Sequence, residues 1–395
     1  MSDQLVREAP KVSSEKIWTR DFILICTANF FVFLGFQMTL PTIPLFVEEL
    51  GGNDQLIGLV VGIFTFSALA IRPYAGHALE SKGRRFVFLT GLGIFVLSVG
   101  SFGFAAGLIF LFAMRIIQGL GWGFSTTASG TIATDLIPAK RRGEGMGYYG
   151  LSGNLALAFG PSLGLALTGI ISFSQLFTIC AILGLMALLL ASRIRYKEVQ
   201  PQAVPLKKWD FYEKSALPPS LLLFFITVTF GGIAAFLPIY SLEKGIEGIQ
   251  WYFLLYAIAL MITRTFAGKL YDLKGHKAVF LPGTLLILIT MFLLAWLPNS
   301  LILYIAAVFY GLGFGTVQPA LQAWSVKESP PNRRGMANAT FFSFFDLGVG
   351  IGAMAFGQIA FLFGYSFIYI VAGVSVLFAM ILYLVILNKE KVKKN

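Results

Sequence analysis

The sequence contains few charged residues and few of the side chains that bind metals. Only 12% of its 395 residues are charged, whereas soluble domains average about 25%. Cysteine and histidine occur twice each, and neither an HExxH pattern nor a paired-cysteine motif is present. The phosphate-binding pattern GxxxxGK followed by Ser or Thr is also absent. These absences argue against a soluble protein, a metalloenzyme and a chain that hydrolyses ATP, so we expect no enzymatic activity, no cofactor, no metal site and no disulfide.

Apolar residues, by contrast, are abundant: 57% of the chain is hydrophobic and the mean hydropathy is +0.78. They form twelve stretches near the roughly 20 residues that a helix needs to cross a bilayer core. Backbone groups in lipid must be paired within their own segment, and the alternating segments of about 10 residues that build membrane barrels are missing. The sequence therefore predicts an all-α polytopic membrane protein with twelve transmembrane helices, at residues 20–46, 55–79, 86–106, 108–134, 145–170, 173–194, 217–241, 248–270, 278–297, 300–324, 337–360 and 364–388.

Basic residues are distributed unevenly between the loops. They precede the first stretch, follow the even-numbered stretches and end the chain, whereas the other loops contain only Lys244. Under the positive-inside rule, this alternation predicts a multi-pass protein of the plasma (inner) membrane with both termini in the cytoplasm. Because the net charge of +11 follows the topology and does not form one basic surface, we expect no nucleic-acid partner.

A repeat with an offset of 192 residues relates the two halves of the chain. AGHALESKGRR (75–85) is similar to AGKLYDLKGHK (267–277), QGLGWG (118–123) to YGLGFG (310–315), PAKRRG (138–143) to PPNRRG (330–335), and Arg72 matches Arg264. Each half holds an even number of stretches, so the repeat is parallel. We expect two pseudo-symmetric six-helix bundles at 20–194 and 217–388, a cytoplasmic linker at 195–216, and cytoplasmic tails at 1–19 and 389–395.

Three segments resemble signature motifs of one protein family. Residues 76–85 resemble the loop between helices 2 and 3 of the major facilitator superfamily, although Glu80 replaces the usual aspartate and Ser81 a common basic residue. Residues 115–119 resemble the helix 4 motif, and residues 153–164 resemble the helix 5 motif of the twelve-helix drug/proton antiporter branch. The resemblance implies the fold of that superfamily and proton-coupled export of small apolar or amphiphilic molecules by alternating access, as in multidrug efflux.

Two other functions are compatible with the sequence. One is export or import of a polar metabolite such as a sugar or a metal chelator. The other is a membrane sensor or scaffold that keeps the fold without transport. For the transporter we expect a small-molecule substrate, protons and membrane lipid as partners, and function as a monomer.

The doubled loop is predicted to gate the cytoplasmic side. Glu80 and Asp272 would latch onto arginine pairs at two helix starts, where the helix carries partial positive charge. Gly76 and its repeat would let neighbouring helices approach, and Gly83 and its repeat would allow tight turns. The alternative is that these charges only fix topology. The predicted gate consists of Gly76, Glu80, Gly83, Arg84, Arg85, Arg141, Arg142, Gly268, Asp272, Gly275, Arg333 and Arg334.

Two charged residues inside the apolar stretches break the repeat. Arg115 matches Ala307, and Asp346 matches Asn154. A charge inside the bilayer costs a few kcal/mol, so it needs a reason. Since desolvation favours the neutral form of a carboxylate, Asp346 is predicted to carry a proton. Arg115 is predicted to be a fixed positive charge that favours the ionised form of this carboxylate, binds an anionic group of the substrate or positions water, without a predicted salt bridge to Asp346. The alternatives are a structural hydrogen bond for Asp346 and helix packing for Arg115.

The helix 5 motif is predicted to form a kinked, closely packed seam where the halves meet. Pro161 removes one helix hydrogen bond, and Gly160 and Gly164 leave a groove, with Gly153 at the start of the motif. The alternative is an ordinary bent helix.

A broad cavity lined by some of the 39 phenylalanines is predicted to hold the substrate. The polar residues expected there are Asn29, Gln37, Gln118, Trp122, Asn154 and Gln318.

Overall fold

The computed structural model describes residues 16–105, 107–138, 141–196, 212–330 and 334–394. Inside the helices, the side chains at 80, 142–144, 265–269, 272–274, 334–335 and 389–394 lie outside this description. The described residues form twelve α-helices and one 3-10 turn and contain no strand. The predicted all-α fold with twelve helices is confirmed.

The helices follow the predicted stretches closely. They are α1 Arg20–Glu49, α2 Asp54–Ser81, α3 Arg84–Phe102, α4 Leu108–Leu136, α5 Arg142–Thr168, α6 Phe173–Ser192, α7 Leu217–Glu243, α8 Ile249–Lys274, α9 His276–Ala295, α10 Ser300–Lys327, α11 Arg334–Phe363 and α12 Tyr365–Lys394. Among the described residues, eleven helices are long and apolar enough to cross a membrane, and α8 contributes a shorter apolar stretch, Ile249–Arg264.

Local signals explain where several helices begin. Asn53 caps α2 by accepting a hydrogen bond from the Leu56 N–H at 3.1 Å, which satisfies one of the donors left free at a helix start. The turns after α2 and α8 depend on Gly83 and Gly275, whose φ angles of 87° and 71° are left-handed and favour glycine. Both repeat-related glycines therefore adopt the backbone conformation that a tight turn requires.

Helices α1–α6 form one bundle and α7–α12 the other. Across the two bundles, α2 packs on α11, α5 on α8, and α1 meets α7. The repeat converts the first of these contacts into the second, because it relates α2 to α8 and α5 to α11. We call them the α2–α11 seam and the α5–α8 seam.

Each helix reverses the direction of the chain, so α1 begins and α12 ends on the same side of the molecule, called the termini side below. The other side is called the opposite side. Most of the predicted linker at 195–216 and of the tail at 1–19 lies outside the described residues, so those domain boundaries stay predictions. α12 continues to Lys394, through most of the predicted tail at 389–395.

Candidate functional site

The α2–α11 seam is built from small residues on the opposite side of the molecule. A Cβ added at Gly357 would lie 2.5 Å from the Asp54 carbonyl oxygen, and one added at Gly350 would lie 2.9 Å from Thr65 Cβ. Small residues let helix backbones approach closely inside a membrane, where lipid removes the hydrophobic drive for packing. The two halves are therefore in close contact along this part of the seam.

Polar contacts between the halves hold the outer end of the same seam. The Tyr365 hydroxyl donates to Asp54 Oδ1 at 2.6 Å. The Gln55 amide donates to Gln358 Oε1 at 2.6 Å. Each contact joins one half to the other, so these residues fasten the opposite side.

An ion pair lies at the end of this packed part of the seam that is nearer the termini side. Arg72 Nη2 of α2 is 2.7 Å from Asp346 Oδ2 of α11, and the two side chains are 25% and 26% exposed. Asp346 lies about 18 Å along α11 at 1.5 Å per residue, which places the pair near the middle of a bilayer core about 30 Å thick. The sequence-predicted Asp346 thus pairs with an arginine of the other half.

The α5–α8 seam contains the repeat-related counterpart of this pair, in which an amide replaces the acid. Arg264 Nη1 donates to Asn154 Oδ1 of α5, and its Nη2 donates to Gln318 Oε1 of α10 at 2.6 Å. Arg264 is the repeat equivalent of Arg72, and Asn154 is the equivalent of Asp346. Both arginines therefore reach across to the other half, but only one meets a carboxylate.

Described glycines on the termini side of these arginines have no close neighbours. Gly76 lies one turn beyond Arg72 on the same face of α2, and no described atom lies within 4 Å of a Cβ added there. Gly150 and Gly147 share the face of Asn154 on α5, and they are equally open. At these described positions the packing is therefore looser than on the opposite side of the α2–α11 seam.

Comparison with known proteins decides the family. A family model described as Major Facilitator Superfamily matches residues 25–249 and 220–395. The chain belongs to the Major Facilitator Superfamily. It is a multi-pass membrane transporter of the kind that binds small molecules.

Relatives and solved structures agree with this family. The chain is 25% identical to the staphylopine export protein of Staphylococcus aureus over 355 aligned residues. This alignment covers 86% of this chain and 89% of that protein. It superimposes on a POT family transporter in complex with 5-aminolevulinic acid with a TM-score of 0.79 at 13% identity, covering 92% of this chain and 96% of that one. For the nucleoside transporter NupG the TM-score is 0.76 at 14% identity, with 92% and 99% covered. These two structures show the superfamily fold alone.

Arg115, the other predicted charge, lies inside the first half of this superfamily member. Its Nη1 donates to Gln118 Oε1 at 2.6 Å and its Nε to the Val60 carbonyl oxygen at 3.2 Å. The guanidinium carbon lies 4.4 Å from the centre of the Phe64 ring. Arg115 is 2% exposed and links α4 to α2, so the partner of Asp346 is Arg72 and not Arg115.

The predicted cavity residues fall into two groups, one at Arg264 between the halves and one inside the first half. Asn154 and Gln318 meet at Arg264, whereas Gln118 is bound to Arg115. Asn29, Gln37 and Trp122 are buried inside the first half. Asn29 donates to Ser152 at 2.9 Å, and the Trp122 ring stacks on Phe36 at 4.0 Å.

The helix 5 motif packs differently from the prediction. Cβ atoms added at Gly160 and Gly164 would lie closest to Gln37 and Met38 of α1, in the same half, and Gly153 also faces α1. The prediction that these glycines line the seam between the halves is therefore wrong. Pro161 lies inside α5 as predicted, and its neighbour Ser162 reaches α8 by donating to the Gln250 carbonyl oxygen at 2.9 Å.

The predicted cytoplasmic gate lies only partly within the described residues. Arg84 pairs with Asp135 of its own half at 3.1 Å and donates to the Leu79 carbonyl oxygen at 2.9 Å. The open space beside Gly76 contradicts its predicted role in close helix packing. The side chains of Glu80, Arg142, Asp272 and Arg334, the surroundings of Gly268, and all of Arg333 lie outside the described residues, so the latch stays a prediction.

The position of Arg72 and Arg264 between the halves was not predicted from the sequence, where they stand out only as matching positions of the repeat. The signal was available, because each is a charge inside an apolar stretch, the same property that singled out Asp346 and Arg115.

Proposed function

We propose that this superfamily member exports small molecules from the cytoplasm in exchange for protons, with Asp346 as the proton carrier. The observation that carries the proposal is the Arg72–Asp346 ion pair, which joins the two halves midway through the membrane. The export direction is supported by the relative named for staphylopine export. The termini side is the cytoplasmic side in this proposal, as the distribution of basic residues predicts.

Ionisation of Asp346 controls the tie between the halves. The ionised carboxylate and the arginine form a charge-assisted contact, which is about twice as strong as a neutral hydrogen bond. A proton on Asp346 removes the charge and weakens the tie, so the halves become free to exchange between two orientations. A carrier that moves only after it has bound a proton or a substrate couples the two flows.

The described conformation fits the cytoplasm-facing state of such a cycle. The opposite side is fastened by the Asp54–Tyr365 contact and by close backbone packing at Gly357, while the faces beyond Arg72 and Asn154 are open. Rocking of the two bundles against each other would then close the termini side and open the opposite side. Arg115 stabilises the first bundle in this scheme and does not carry the proton.

An apolar or amphiphilic substrate is supported by an aromatic cluster close to Asp346 and Gln318, of which Phe345 is partly exposed. Phe314 packs against Phe230 at 5.9 Å and against Phe345 at 6.3 Å between ring centres. Phe345 directly precedes Asp346, and Phe314 lies one helical turn before Gln318. The alternative of a polar metabolite is favoured by the amide and guanidinium groups around Arg264.

A pH-gradient assay in proteoliposomes tests the proposal. An internal pH-sensitive dye would report proton flux while lipophilic cations, sugars and organic acids are added one at a time. We expect at least one compound class to evoke proton flux, and we expect the flux to disappear in Asp346→Asn and to persist in Asp346→Glu. Asp21→Asn, the same change at the start of α1, serves as the control. Flux that survives Asp346→Asn would refute the role of this carboxylate.

A further inference from the structure

The α5–α8 seam holds a positive charge that no described acid neutralises. Arg264 lies about 22 Å along α8 at 1.5 Å per residue, and its hydrogen-bond partners Asn154 and Gln318 are neutral amides. Among the described side chains, the ion pairs are Arg72–Asp346 and Arg84–Asp135. Because a charge inside the bilayer costs a few kcal/mol when it is unpaired, this position calls for an anion.

Arg264 is also reachable, unlike the other unpaired arginine of the membrane interior. Arg115 is 2% exposed and its guanidinium is covered by the Phe64 ring. Arg264 is only partly buried. The Arg264 side chain is therefore more accessible than that of Arg115.

Two hydrogen-bond donors on α8 have no partner in the described structure. One is the Nε–H of Arg264, and the other is the hydroxyl of the buried Tyr256, about two helical turns earlier. Buried donors are normally satisfied, and an unsatisfied one is destabilising. A carboxylate accepts from several N–H and O–H donors at once and binds a guanidinium in a planar, two-point geometry.

The surroundings provide a place for an apolar body attached to the carboxylate. Phe314 lies one helical turn before Gln318 on α10, so the two side chains share a helix face. Phe230 and Phe345 pack against the Phe314 ring. Phe314 and Phe230 are buried, whereas Phe345 is partly exposed, so Phe345 is the member of this cluster that an apolar body can contact.

We propose that Arg264, together with Asn154, Gln318 and Tyr256, binds a carboxylate of the substrate, and that the transported molecules are organic anions with an apolar body. The inference rests on the proposed transport function and names the substrate class of that site. Proton and substrate then act on different seams. The proton neutralises Asp346 in the α2–α11 seam, and the substrate neutralises Arg264 in the α5–α8 seam.

Binding of matched probes to the purified full-length protein tests this assignment without a gradient. The probes are 2-naphthoate, 2-naphthamide and 2-naphthylmethylamine, and the same three head groups on a biphenyl and on an octyl body. Isothermal titration calorimetry measures the dissociation constants, and ligand-induced thermal stabilisation gives a second readout. For at least one body we expect the carboxylate to bind about tenfold or more tightly than its amide, as gain of one charge-assisted pair predicts.

Asn154→Asp is the decisive variant, because it is nearly isosteric and gives Arg264 the internal counter-ion that Arg72 already has. We expect it to remove the preference for the carboxylate probe. Arg264→Gln should remove the preference as well, and Arg264→Lys should retain part of it. Asp346→Asn should keep the preference while it abolishes proton flux, since its carboxylate lies in the other seam.

Two results would overturn the inference. One is that no carboxylate probe binds more tightly than its amide on any of the three bodies. The other is a carboxylate preference that survives Asn154→Asp. The outcome is separable from that of the proposed function: equal flux evoked by amide, amine and carboxylate would support transport and contradict the anion site. Carboxylate-selective binding without any proton flux would support the anion site and contradict proton-coupled transport.

Discussion

Gly357 offers a direct test of whether the α2–α11 seam keeps the opposite side shut. A Cβ at this position would lie 2.5 Å from the Asp54 carbonyl oxygen and 3.2 Å from Gly58 Cα. Both atoms belong to the backbone of α2, so they cannot rotate away as the end of a side chain would. Gly357→Ala must therefore push α2 and α11 apart in the described conformation.

The size of the effect follows from the packing. Insertion of one methyl group into a close-packed contact costs about 1–3 kcal/mol. Only the conformation with the seam closed bears this strain, because the two helices separate in the other conformation. Since about 1.4 kcal/mol corresponds to a factor of ten, the ratio of the two conformations should change by roughly 5- to 140-fold.

Pulsed electron paramagnetic resonance can measure this change as a distance distribution. Phe104 and Trp296 are 82% and 77% exposed, follow α3 and α9 on the opposite side, and belong to different halves. Spin labels at these two positions, with Cys26 and Cys180 replaced by serine, should show a new population at longer distance in Gly357→Ala. The membrane-embedded full chain in nanodiscs is the sample.

Gly93→Ala is the matched control. It makes the same change inside α3, where a Cβ would have no described atom within 4 Å, so it reproduces the gain in helix propensity, about 1 kcal/mol, without the clash. If Gly357→Ala gives the same distance distribution as Gly93→Ala and the unmodified chain, the seam does not hold the opposite side shut. The assignment of the described conformation to a termini-side-open state would then be wrong.

Three further predictions concern single contacts. Tyr365→Phe removes the hydrogen bond to the Asp54 carboxylate and should weaken closure of the opposite side by about 1.5–3 kcal/mol, seen as a smaller shift in the same distance measurement. Arg115→Gln should lower the thermal unfolding temperature and leave proton coupling intact, because the contact with Phe64 and the hydrogen bonds of the buried guanidinium are lost within one half. Loss of coupling at unchanged stability would contradict this role. Glu80→Gln should reduce transport while expression persists, and normal flux in vesicles from this variant would rule out the predicted latch.

The helices could be predicted from the sequence to within a few residues. The stretch 55–79 became Asp54–Ser81, and the stretch 173–194 became Phe173–Ser192. The contrast between lipid and water makes helix length and composition strongly constrained, and caps such as Asn53 fix individual starts. Glycine at the two repeated turns was also predictable, because these turns need a left-handed backbone conformation, which glycine adopts most readily.

The contacts between the halves could not be predicted in the same way. A single sequence shows that Arg72 and Asp346 lie in apolar stretches, but it does not show which helix faces meet across 274 residues of chain. Gly160 and Gly164 illustrate the difficulty, because a small-residue face predicts close packing without naming its partner. The partner proved to be α1 of the same half.

The exchange of a single acid for an amide between the repeated halves gives the two proposals one physical basis. If Asn154 were also an aspartate, both seams would be tied by ion pairs, and no unpaired positive charge would remain at either seam to attract a substrate anion. If Asp346 were also an asparagine, neither seam would contain a group that releases a proton, because both arginines stay charged. With one aspartate and one asparagine, the two equivalent contacts become different: one responds to protons, and the other has a charge available for a ligand. Such a division needs only one change after duplication, and it explains why Asp346 and Asn154, which differ between the halves, lie opposite Arg72 and Arg264, which are the same in both.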